Sequence, residues 1–171
     1  MMKESYKRSF SLDGKKPLKR SVIVRILGEI FDEHSDRVHR KVSAEDGTDT
    51  KNESAKNFLR REIYALGTRI LNTSSEPWNG ENFLALMNRT TTRPATLENV
   101  FHALFFFLYE GEEGFSRQER SLMGRELEYA YRHKIPAELL VGFLYQSTDR
   151  KRLSQRLEEG FVEPAFRGSS L

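Results

Sequence analysis

One stretch constrains the fold of this chain more than any other. Residues 100–109, VFHALFFFLY, are almost wholly apolar; a loop of glycines and carboxylates, EGEEG, follows, and Ser116 then stands three residues before Glu119. The apolar run is about half the length a bilayer demands, so it belongs in a protein interior. Ser-x-x-Glu is a capping box, in which the hydroxyl and the carboxylate each satisfy a backbone N–H that the first turn leaves unpaired. Together these features predict a central helix over 97–109, with Thr96 as its N-cap, and a second helix from 116 to 133 or 134 that buries Leu122, Met123, Leu127 and Ala130.

The same reasoning extends along the chain. Ile23, Ile26, Leu27, Ile30 and Phe31 follow helical spacing, with Val38 as a continuation, and place a first helix within 21–40. The β-branched run Val22, Ile23, Val24 leaves a short strand open as the alternative. Residues 41–53 have the composition of a polar linker. A helix then fits 54–72, with Phe58, Leu59, Ile63, Leu66, Ile70 and Leu71 inward and Arg60, Arg61, Glu62 and Arg69 outward. Asn79 can cap a shorter helix carrying Phe83, Leu84 and Met87. Pro136 suits the first turn of a helix bearing Leu139, Leu140, Phe143 and Leu144. Ser147 or Thr148 can cap a last helix ending at Gly160, and 161–171 form a tail. The expected fold is mostly α, a single helical domain of about five to seven helices with its core over 54–160 and a basic N-terminal arm at 1–20.

With 171 residues, 12 phenylalanines and one tryptophan, the chain can fill one sizeable core. It has no cysteine, which excludes disulfides, thiolate metal ligands and thiol catalysis and agrees with a cytoplasmic location, or a nuclear one in a eukaryote. No secretory pattern opens the sequence, because its first twenty residues are charged and lack an apolar core. The net charge of +3 is unevenly placed: the first 25 residues carry eight Lys/Arg against two acids, so the remainder is net negative. Such a basic segment attracts polyanions through long-range electrostatics. The candidate polyanion-binding residues are Lys15, Lys16, Lys19 and Arg20, with a second cluster at Arg150, Lys151, Arg152 and Arg156.

Chemistry is harder to find. Glu110, Glu112 and Glu113 lie in a glycine loop, as ligands of a cation would, but counting from Glu110 puts Phe115 where an EF-hand needs glycine and Ser121 where it needs glutamate. The helix, acidic loop and Ser-x-x-Glu start are loosely similar to TerB-like helical domains over some forty residues; the shared pattern is a loop and an N-cap and assigns no family. His34 and His39 sit among acids, yet a spacing of five does not bring two imidazoles to one helical face. His102 reads as a core histidine. Arg125 lies eight positions before His133, too far for the Arg-to-His spacing of helical HEPN-type RNases. A helix-turn-helix drawn over 126–145 would present Pro136, Ala137, Glu138, Val141 and Gly142, none of which reads a base edge. There is no phosphate loop, nucleophile elbow or HExxH.

No catalytic residue, metal or cofactor is therefore assigned. The expectation is a non-enzymatic regulatory or adaptor protein that binds a protein partner through its helices, with the arm adding electrostatic attraction. Binding of a nucleic-acid backbone through the arm and 150–156 ranks second, a metal-dependent or hydrolytic enzyme third, and a homo-oligomer is a further candidate assembly.

Overall fold

The computed structural model describes residues 6–43, 53–89, 97–109, 114–147 and 152–166. Among these residues seven α-helices run in order: α1 Arg20–Ser43, α2 Ala55–Thr73, α3 Gly80–Leu86, α4 Val100–Leu108, α5 Arg117–Arg132, α6 Leu140–Ser147 and α7 Leu153–Glu158. The described residues also contain two short 3-10 turns, Ala137–Leu139 and Pro164–Phe166. No strand occurs among the described residues, so Val22–Val24 are helical and the strand alternative falls away.

The apolar run forms the centre, as its composition demands. Phe101, Leu104 and Phe105 of α4 are fully buried, surrounded by α2 through Phe58, Leu59, Ile63 and Tyr64, by α1 through Ile23, Ile26 and Ile30, and by α5 through Met123, Leu127 and Ala130. Helices α2 and α4 meet at Gly67: a β-carbon there would lie 2.5 Å from the Phe101 ring, so only glycine admits this approach. The Tyr64 hydroxyl donates to the Ile135 carbonyl at 2.6 Å and ties α2 to the connection after α5.

Local signals are realised where a side chain satisfies a nearby backbone group. Both bonds of the Ser116–Glu119 capping box are present, and Asn79 caps α3 by accepting from the Asn82 N–H at 3.1 Å. Gly160 follows α7 at φ +63°, a conformation that favours glycine. Other boundaries move. The first helix runs to Ser43, and α4 starts at Val100 with Asn99 accepting from the His102 N–H at 2.8 Å. The cap expected at Thr96 lies outside the described residues, as does Thr148; Ser147 ends α6 instead, and α7 begins after Arg152 with no side-chain cap.

Three placements of side chains are corrected. Arg60, Glu62 and Arg69, expected on the outer face of α2, are buried because partners from distant parts of the chain reach them. Phe31 and Leu139, expected inside, are 41% and 61% exposed. The segment expected as a basic arm packs on the core: Tyr6 packs edge-on against Phe58 at 5.0 Å between ring centroids, and Phe10, Leu12 and Leu18 are half-buried on the core. Polar bonds hold it as well, from Arg8 Nη1 to Glu62 at 3.1 Å, from the Ser9 N–H to Glu29 at 3.0 Å and from Arg69 Nη2 to the Lys16 carbonyl at 2.7 Å. At the other end, Phe166 packs on Phe143 and His133, while the Glu163 N–H donates to His133 Nε2 at 3.0 Å.

Candidate functional site

A cleft of about 300 Å³ opens between the N-terminal segment, the end of α2 and α3. Its lining is largely apolar: Pro17 and Leu18 from the N-terminal segment, Ile23 of α1, Ile70 and Leu71 of α2, Trp78, and Phe83 and Leu86 of α3. Polar side chains, Thr73, Ser74, Ser75, Glu76, Asn79 and Asn82, complete the lining. An apolar hollow with a few polar groups at its edge is the general form of a recognition site.

Each wall is fixed by bonds between elements. The Trp78 indole N–H donates to the Leu97 carbonyl at 3.2 Å, and its ring packs on Phe83 with centroids 5.3 Å apart. Ser74 caps the end of α2 and its hydroxyl donates to the Glu76 carbonyl at 2.9 Å, which turns the chain towards Trp78. Opposite, Arg69 grips the Lys16 carbonyl immediately before Pro17. Arg20 donates from Nε to the Met87 carbonyl at 3.1 Å and links the start of α1 to the end of α3. These two arginine-to-backbone bonds tie together the elements that line the cleft.

The basic run and this cleft are the same piece of chain. Lys15, Lys16 and Lys19 are exposed, form no salt bridge among the described residues, and flank the two wall residues Pro17 and Leu18. Arg20 has its Nε committed to Met87. The second basic cluster is less open: Arg156 pairs with Glu163 at 2.8 Å, donates to the Ser147 carbonyl and lies over the Phe161 ring. Arg152 is exposed at the start of α7, while Arg150 and Lys151 lie outside the described residues.

The histidines do not converge. His34 is buried, shares a hydrogen bond between Nδ1 and the Tyr109 hydroxyl, and packs on Phe115; burial lowers its pKa. His39 is exposed and its Nδ1 lies 2.7 Å from the Ser35 carbonyl. His102 is buried, and its pKa is lowered by that burial. Among the described residues no group of three or more His, Asp or Glu side chains is placed to hold a metal ion. Glu110, Glu112 and Glu113 lie outside the described residues. No described helix is long and apolar enough to cross a membrane.

Sequence patterns did not reveal the cleft, since Leu18, Leu71, Trp78 and Leu86 come from four elements. The available signals were the apolar pair Pro17-Leu18 inside a basic run and the single tryptophan beside Pro77. Comparison with protein-family models, with curated proteins and with solved structures finds no match to this chain.

Proposed function

We propose that the chain is a non-enzymatic protein-binding module whose cleft takes an apolar side chain from a short acidic segment of a partner protein. The observation that carries this reading is that one segment supplies both chemistries: Pro17 and Leu18 form an apolar wall while Lys15, Lys16 and Lys19 stand exposed beside it. A polyanion alone would leave the hollow empty, and an apolar peptide alone would leave the lysines unused. An acidic segment with a leucine or phenylalanine satisfies both, with burial giving affinity and the lysines giving attraction and register.

A labelled peptide of aspartates and glutamates around one Leu-Phe pair, followed by fluorescence anisotropy, tests the reading against a single-stranded oligonucleotide of equal charge. The peptide should bind more tightly, weaken with salt, and lose affinity when its Leu-Phe pair becomes Ser-Ser. Equal binding of the Ser-Ser peptide, or tighter binding of the oligonucleotide with a steep salt dependence, would replace this reading with phosphate-backbone binding.

A further inference from the structure

A second surface lies on α1, away from the cleft-lining face. Six positions along its outer side, Ser21, Val24, Gly28, Phe31, Ser35 and Val38, are spaced alternately by three and four residues, the spacing of a coiled-coil seam. The three large ones are exposed although apolar, at 46%, 41% and 40% for Val24, Phe31 and Val38. The other three are small, so large and small alternate along about 27 Å of helix. Gly28 sits inside a 24-residue helix, where glycine is disfavoured by about 1 kcal/mol. Nothing in its own chain requires it, because a β-carbon there would meet no atom within 4 Å.

We infer that this seam is the interface of a homodimer in which α1 packs antiparallel on α1 of a second copy. With the twofold axis between Glu29 and Ile30, Phe31 faces the partner's Gly28, Val24 the partner's Ser35 and Val38 the partner's Ser21. Every large side chain then meets a small one, which is how a closed symmetric interface fills its own hollows. Charge fits the same arrangement. Arg25 and Asp32 lie on the solvent flank of the seam, both exposed, and the Asp32 carboxylate has no hydrogen bond or ion pair among the described residues. The twofold sets Arg25 beside the partner's Asp32, twice. A parallel pair would instead set Phe31 against the partner's Phe31 and leave Arg25 without an acid, since the opposite flank, Leu27 and His34, is buried in its own core.

Sedimentation equilibrium of the full chain at about 10–100 µM, the range suited to an interface of modest size, reads the association. The wild type should be dimeric at the upper end. Gly28→Leu should abolish the dimer while keeping the helical circular dichroism, because the added side chain points into open space in the monomer. Arg25→Glu should weaken association, and Arg25→Glu combined with Asp32→Arg should restore it. Since the chain has no cysteine, mixing Val24→Cys with Ser35→Cys chains should give an oxidised heterodimer that neither variant forms alone. A wild type that stays monomeric at about 100 µM overturns the inference. So does a dimer that survives Gly28→Leu, or a charge swap that fails to rescue.

Discussion

Arg60 of α2 donates from Nη2 to Glu126 of α5 at 2.7 Å, and both side chains are buried, 7% and 1% exposed. Sixty-six positions apart in sequence, they join two of the helices that enclose α4. Removing the Glu126 charge leaves the Arg60 guanidinium buried without its ion pair, and breaking a buried pair typically costs about 3–5 kcal/mol, whereas replacing both by apolar residues of similar size is often neutral or better. Glu126→Gln should therefore lower the denaturation midpoint sharply, and Arg60→Met with Glu126→Leu should recover most of the loss. Urea melts of the wild type, Glu126→Gln and the double variant measure it.

Deletion of residues 1–19 should destabilise the domain. It removes Tyr6 from Phe58, uncovers the surface under Phe10, Leu12 and Leu18, and takes Arg8 from Glu62, a side chain only 2% exposed. A loss of several degrees in melting temperature is expected, since about 1 kcal/mol moves Tm by roughly 2–4 °C in a domain of this size. An unchanged melt would contradict the contribution of these contacts to stability.

The capping box makes a prediction with a sign in pH. The Ser116 N–H and hydroxyl hold the Glu119 carboxyl below its usual range. Its contribution is thus present above the ordinary glutamate value and lost as pH falls through the lowered one. Ser116→Ala should cost about 1 kcal/mol near neutrality, and the difference from wild type should shrink in acid.

Histidine titration acts in a higher window. Burial lowers the pKa of both His34 and His102 below the usual 6.5. The unfolded chain therefore takes up protons first as pH falls below that value, and stability declines until the folded histidines protonate. Melting temperature should fall as pH drops below the ordinary histidine value. His34→Gln should flatten that dependence; an identical slope in the variant would assign it to other groups.

What could be read from sequence divides by distance along the chain. Ser116 with Glu119, Asn79 with Asn82 and the apolar run 100–108 act within a turn or two, and the structure places each as its spacing implies. The wheel of α2 misled because polar residues are read as outward-facing, whereas Arg60, Glu62 and Arg69 find partners on α5, at Arg8 and at Lys16. The N-terminal segment gave no signal because Tyr6, Phe10, Leu12 and Leu18 bury their side chains from irregular backbone, which has no period. The cleft was hidden for the same reason, its charge visible at Lys15–Lys19 and its apolar lining scattered.

Trp78 is the only tryptophan of the chain and lines the cleft, so its emission reports occupancy directly. Titration with the acidic Leu-Phe peptide should shift that emission and saturate, with Lys16→Glu and Lys19→Glu together weakening the apparent affinity and Leu71→Ser abolishing the shift in a chain that still melts cooperatively. Saturable binding that leaves the emission of Trp78 unchanged, or that ignores both sets of substitutions, would contradict the assignment of the cleft as the docking site.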